Sequence, residues 1–206
     1  MPETAIIDYG MGNLRSVQKA IEKSGQEATI TSDASVIARS ERVILPGVGA
    51  FRDAIAALHK HDLVSCIHDV VQSQKPMLGI CLGLQLLFET SEEDGQHEGL
   101  GIISGRVRKF EIDPQLKVPH MGWNQLPIRT TGNPLFEGIS DNAWVYFVHS
   151  YYVDPSDRTC VATETDYGGQ FTSSIRVGNL FATQFHPEKS QAAGLQILKN
   201  LSLIHI

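Results

Sequence analysis

The sequence predicts an α/β fold: a single domain over residues 1–206, with a mostly parallel central sheet flanked by helices and additional antiparallel strands. Three observations predict it. From residue 4 to about residue 90, short apolar runs alternate with helical periodicities, the pattern of βαβ units whose strands pair in parallel. From residue 102 onward the apolar runs shorten, and Asn133-Pro134, Gly168-Gly169 and Gly178-Asn179 punctuate them. Between the two halves, an apolar run stops abruptly at Cys81, and a helical period begins there.

Taken in order, residues 4–9 read as a first buried strand. Gly10-Met11-Gly12-Asn13 then turns into a helix with Leu14, Val17 and Ile21 on one face, ended by Gly25. Gly10-x-Gly12 after a strand invites a dinucleotide-binding reading, but Arg15 occupies the place of the third glycine, so a tight turn suffices. Asn13 falls at the N-cap or serves as a partner contact. A strand at 28–31, a short helix and a strand at 42–46 follow. Residues 52–74 read as helical, with Leu63, Ile67 and Val70 in one stripe and Cys66 packing beside it. After the strand at 77–80, Leu84, Leu87 and Phe88 repeat at helical spacing. Residues 91–100 are polar and read as a solvated loop that includes His97. Further strands are expected at 105–110, 124–128, 143–149, 159–163 (with Cys160 in the core), 172–176 and 180–185, and an apolar helix at 190–201 closes the chain.

A net charge of −6 argues against a nucleic-acid or anionic-membrane partner. No apolar run approaches the length of a membrane span, and no signal peptide precedes Ile6. Three cysteines, Cys66, Cys81 and Cys160, make neither a disulfide framework nor a CxxC metal pair, which fits a reducing cytosol.

The chemistry concentrates at Cys81. Gly79 and Gly83 flank it at minus two and plus two, which is the nucleophile-elbow pattern with sulfur in place of oxygen. A thiol at a helix N-terminus sits in positive potential, which favours the thiolate. The Leu82 amide then points where an oxyanion would form. Gly47-Val48-Gly49 after a strand makes a loop that can approach a ligand with bare backbone, and an amide near Val48 or Gly49 could supply a second oxyanion donor. Far along the chain, His186 precedes a proline, which biases it to an extended conformation. Residues i and i+2 then share a face, so Glu188 can hold the His186 imidazole as the base for a thiol nucleophile.

Gly79-Ile80-Cys81-Leu82-Gly83-Leu84-Gln85, Pro46-Gly47-Val48-Gly49 and His186-Pro187-Glu188 resemble the three motifs of class I glutamine amidotransferase domains, and the resemblance extends over nearly the whole chain. Within that class, residues 8–14, 119–124 and 146–151 resemble the glutaminase-subunit family of imidazole glycerol phosphate synthases, enzymes of histidine biosynthesis. The resemblance implies the class I amidotransferase fold and hydrolysis of L-glutamine by Cys81, with His186 as acid and base and Glu188 orienting it. It implies an oxyanion hole from the backbone of Leu82, Val48 and Gly49, and glutamine binding by Gly47, Gln85, His149, Ser150 and Tyr151. His149 reads equally as a core histidine. No metal and no cofactor are implied. The implied partner is a (β/α)8-barrel cyclase subunit in a heterodimer, which takes ammonia through a tunnel and converts PRFAR to imidazole glycerol phosphate and AICAR. Asn13, Trp123 and Lys189 are the residues implied at that interface. Rival expectations are the glutaminase of another class I amidotransferase and a non-catalytic scaffold for the synthase partner.

Overall fold

The computed structural model describes residues 3–111, 116–128 and 132–204. β1 (Thr4–Ile7) leads through the Gly10–Gly12 turn into α1 (Leu14–Lys23). Gly25, at φ +87°, lets the Gln26 N–H reach back to the Ile21 carbonyl, and the helix ends there as expected. β2 (Ala28–Thr31), α2 (Ala34–Arg39) and β3 (Arg42–Gly47) follow. The helical stretch predicted over 52–74 is two helices, α3 (Phe51–Lys60) and α4 (Val64–Gln72). Asp62 takes φ +54° and the Leu63 N–H bonds the Leu58 carbonyl, a C-terminal cap that the apolar spacing does not reveal. Leu63, Ile67 and Val70 are buried as one stripe, with Cys66 beside it.

β4 (Met77–Cys81) runs directly into α5 (Leu82–Leu86), which lasts five residues. Phe88 therefore begins β5 (Phe88–Ser91) and is not on a helical face. The cause is tertiary: the amides of Leu100, Gly101, Ile102 and Ile103 take the carbonyls of Leu86, Phe88, Leu87 and Leu87 in turn, so the helix cannot propagate. The polar stretch holds a two-residue strand, β6 (His97–Glu98), against β5, where a loop was expected. Its Glu93 carboxylate accepts the Phe51 N–H at 2.8 Å and caps the first turn of α3.

The second half supplies β7 (Ile103–Lys109), β8 (His120–Leu126), β9 (Ala143–His149), β10 (Tyr151–Pro155), β11 (Val161–Asp166), β12 (Gln170–Val177), β13 (Leu180–Thr183) and α6 (Gln191–Leu203). β10 was not expected. Cys160 lies in a short 3-10 turn before β11 and not in a strand, although it is buried. β2-β1-β3-β4-β13 pair in parallel, and the sheet continues through β12, β10, β7, β5 and β6, with β11 on β12. The added pairings are antiparallel except β5 with β7. β8 and β9 form a separate two-stranded antiparallel sheet.

Side chains alternate across the parallel strands. Ala5, Ile7, Val43, Leu45, Met77 and Ala182 pack with α2, α3 and α4, while Ile6, Ile44, Leu78, Ile80 and Phe181 pack with α1 and α6. Both faces are thus covered, as parallel sheets require, and the strand C-termini are left as the open edge. No helix among the described residues is long and apolar enough to cross a membrane.

Candidate active site

At that edge, Cys81 stands between β4 and α5 with φ 55° and ψ −106°. An L-residue held there stores about 1–3 kcal/mol of backbone strain. Gly83 permits the turn: a Cβ on it would lie 1.9 Å from the Leu45 carbonyl oxygen. Gly47, the register partner of Cys81, has a similar constraint, since a Cβ there would lie 2.6 Å from the Tyr9 hydroxyl and 2.9 Å from the Leu82 side chain. The 47–49 loop therefore leaves the sheet directly beside the thiol. Val48 is 40% exposed and Gly49 takes φ +102°. Leu82 opens α5, so its N–H has no acceptor within the helix.

His186 takes an extended conformation before Pro187, as predicted. Its partner sits differently from expectation: Glu188 lies in a short 3-10 turn, Pro187–Lys189, and not on an extended segment. The two side chains still meet. His186 Nδ1 is 2.8 Å from Glu188 Oε1, and the side chains are 2% and 1% exposed. The Ser190 hydroxyl donates to the His186 carbonyl at 2.6 Å and accepts the Tyr146 N–H at 3.0 Å, while the His186 N–H bonds the Tyr146 carbonyl at 2.9 Å. The turn is thereby fastened to β9. Burial alone would lower the imidazole pKa. The neighbouring Cys81 and the hydrogen-bonded, charged Glu188 outweigh it and raise the pKa to about 9. His186 Nε2 is buried and makes no hydrogen bond of ordinary geometry.

A second set of polar groups converges on the sulfur. Gln184 Nε2 lies 3.7 Å from Cys81 Sγ, and the Val148 carbonyl lies 3.9 Å away on another side. Gln85 is buried rather than solvent-facing; its Nε2 donates to the Tyr151 carbonyl at 3.0 Å and to Gln184 Oε1 at 3.1 Å. His149 is buried with both nitrogens engaged, Nδ1 with the Tyr151 carbonyl at 2.8 Å and Nε2 with His120 Nδ1 at 3.0 Å. The Ser150 carbonyl accepts the Phe110 N–H. Burial pushes the pKa of His120 down to about 4 and that of His149 to about 3, so both are neutral at pH 7. Sequence reasoning missed Gln184 and His120. Gln184 carried a signal: in an extended Gln184-Phe185-His186 segment, it shares a face with His186.

Asn13 stands at the N-terminus of α1, but its side chain makes no cap and is exposed. Trp123 is 43% exposed and meets Tyr146 edge-on at 6.0 Å, with Lys189 Nζ 5.7 Å from the same ring. Trp144 (56% exposed) and Met121 (62% exposed) extend this apolar face. Burial raises the thiol pKa values of Cys66 and Cys160, away from the thiolate, so neither competes with Cys81 as a nucleophile.

An elbow-borne thiol beside a carboxylate-held imidazole, at the strand C-termini of a doubly covered sheet, defines a thiol-dependent acyl-transfer enzyme. The chain belongs to the class I glutamine amidotransferase family, whose sequence profile, described as "Glutamine amidotransferase class-I", matches residues 5–204. It is 57% identical to the Imidazole glycerol phosphate synthase subunit HisH of Rhodopirellula baltica over 96% of this chain and 95% of that protein. It is 56% identical to the subunit of the same name from Syntrophotalea carbinolica, over 95% of this chain and 97% of that one. The fold is also similar to the solved structure of PurLQS from Thermotoga maritima, with a TM-score of 0.77, 18% identity and 97% of each chain covered.

Proposed function

We propose that this protein is the glutaminase subunit of an imidazole glycerol phosphate synthase. It hydrolyses L-glutamine to glutamate and ammonia and passes the ammonia to a (β/α)8-barrel cyclase subunit, which converts PRFAR to imidazole glycerol phosphate and AICAR in the cytoplasm. The observation that carries the chemistry is the 2.8 Å contact holding His186 on Glu188 beside the strained Cys81 elbow. The pathway rests on full-length similarity to the subunits from Rhodopirellula and Syntrophotalea.

The Cys81 thiolate adds to the carboxamide carbon of glutamine, and the carbonyl π electrons move onto oxygen. Backbone N–H groups of Leu82 and of the Val48–Gly49 segment receive that oxyanion. Its collapse breaks the C–N bond, and His186 gives its proton to the departing ammonia. Neutral His186 then removes a proton from water, whose oxygen displaces the sulfur and releases glutamate. Glu188 keeps the imidazole in place through both halves. Gly47, Gln85, Ser150 and Tyr151 border the glutamine site. Because the Gln85 amide nitrogen is bound to Tyr151 and Gln184, Gln85 shapes that site while holding its neighbours. Asn13, Trp123 and Lys189 face the cyclase, with Trp123 as the aromatic anchor.

The 47–49 loop is suited to gating. Gly49 accepts φ of either sign, so the peptides around Val48 can reorient at low steric cost. The Tyr9 hydroxyl donates to the Pro46 carbonyl at 2.8 Å, which ties this loop to the 8–13 turn that carries Asn13. One missing oxyanion donor costs about a hundred- to a thousandfold in kcat, which reaches and exceeds the top of what allosteric coupling usually supplies. Steady-state glutaminase rates should therefore rise by at least about a hundredfold from the free subunit to the complex with PRFAR bound. Equal rates in the free subunit, the complex and the liganded complex would contradict the gate. Failure to bind a cyclase or respond to PRFAR would contradict the pathway.

A further inference from the structure

We infer that Gln184 is a further catalytic residue of this site: its side-chain N–H donates to the Cys81 sulfur, and hydrogen bonds fixed at backbone groups prevent the amide from turning over. The inference rests on Cys81 being the nucleophile.

The argument is one of donor and acceptor identity. The Tyr151 carbonyl can only accept, so Gln85 must present its amide nitrogen to it. That nitrogen has a second hydrogen, and it lies 3.1 Å from Gln184. Gln184 must therefore present oxygen to Gln85, since two amide nitrogens there would oppose donor to donor. Its own nitrogen is then left facing the sulfur at 3.7 Å.

The same carbonyl is reached from the other side by a chain of equally fixed sense. His149 Nδ1 carries the hydrogen that Tyr151 accepts, so the buried neutral ring accepts at Nε2. His120 must then donate from Nδ1 and accept at Nε2, where Asn124 Nδ2 lies at 3.3 Å. Asn124 is itself held by backbone, its Oδ1 accepting the Gln125 N–H at 2.7 Å and its Nδ2 donating to the Asp166 carbonyl at 2.9 Å. Asn124, His120, His149 and Gln85 are thus positioning residues that meet on one carbonyl. Gln184 is the member that touches a reacting atom.

The two neighbours of the sulfur respond differently to its protonation state. The Val148 carbonyl at 3.9 Å can accept only a thiol proton, whereas the Gln184 N–H bonds a thiol sulfur weakly and the charged thiolate much more strongly. Gln184 therefore favours the thiolate and aims its lone pairs. The titratable groups facing Cys81 are His186, with Glu188 from the 187–189 turn behind it, and Tyr9 from the turn after β1, with His149 acting through His186. All of these stay in place when Gln184 alone is changed.

The test compares wild type, Gln184→Met, Gln184→Glu and Gln85→Met, each in complex with the cyclase. The pH dependence of Cys81 alkylation by iodoacetamide is read by peptide mass mapping, beside glutaminase kcat and KM. Gln184→Met keeps the volume and removes the donor. Its alkylation midpoint should move to higher pH and its kcat should fall about tenfold, with a smaller change in KM. Gln184→Glu places a carboxylate at the sulfur and should move both further in the same direction. Gln85→Met frees the Gln184 amide to turn and should produce a smaller shift of the same sign, which also covers a Gln184→Glu chain that fails to fold. Midpoints equal to wild type would overturn the inference even if kcat fell, because a packing role lowers activity without moving the thiolate. Shifted midpoints with unchanged kcat would overturn it as well. Alkylation needs no turnover, so this outcome is separable from failure of the nucleophile assignment, which full glutaminase activity in Cys81→Ala would reveal.

Discussion

Cys81→Ala in the complex should abolish glutamine-dependent synthesis while leaving ammonia-dependent synthesis near the wild-type rate. Removing the nucleophile of a triad costs on the order of a millionfold in kcat, because no group nearby can form the covalent intermediate. Cys66 and Cys160 cannot substitute: each is buried away from the strand edge, and burial holds its thiol protonated. The ammonia-dependent reaction survives because the cyclase chemistry lies in the partner and ammonia can reach it from solvent. The substitution also removes a side chain from a strained position without adding bulk, so the fold should persist. The check is to assay both nitrogen sources on one preparation. Loss of both activities would mean that the cysteine holds the complex together rather than attacking glutamine.

Glu188→Gln should lower glutaminase kcat by roughly three to four orders of magnitude, less than Cys81→Ala. The glutamine side chain can still accept from His186 Nδ1, so the ring keeps a partner, but the negative charge is gone. Glu188 Oε1 sits 2.8 Å from that nitrogen in a nearly water-free place, where the charge acts with little screening. Without it the imidazolium loses a stabilising partner, and its pKa falls from about 9. The sign follows: a step that needs protonated His186 should lose rate at lower pH than in wild type. The alkaline limb of the glutaminase pH profile should therefore move to lower pH. Wild-type turnover in this variant would remove Glu188 from the reaction.

The parallel core was legible because its strands are buried on both faces and read as short, unbroken apolar runs. Ile6 to Ile7, Val43 to Leu45 and Met77 to Ile80 need no long-range information to be recognised. Gly79-x-Cys81-x-Gly83 was legible for a related reason: the glycines answer a local steric demand, the Leu45 carbonyl under Gly83 above all. His186 and Glu188 are two residues apart, so either an extended segment or a turn can bring them together, and the pairing survived an error in the local conformation. What stayed hidden was set by distant backbone. Phe88 follows the helical spacing of Leu84, yet amides from 100–103 claim the carbonyls that would have continued the helix. β10 was missed because the chain passes from the small sheet to the large one at Ser150 without a glycine or proline to mark it. The Gln85 contacts with Tyr151 and Gln184 span 66 and 99 residues, so no spacing rule could announce them.

Labelling with an electrophilic glutamine analogue, followed by peptide mapping of the complex, tests most directly that glutamine is attacked by the thiol at the elbow. The analogue should inactivate the glutaminase by modifying one residue, Cys81, in step with loss of activity, and excess L-glutamine should slow the modification. Ammonia-dependent synthesis should continue in the labelled complex. Inactivation that tracks modification of Cys66, Cys160 or a non-cysteine residue, or labelling of Cys81 that L-glutamine does not slow, would contradict the account.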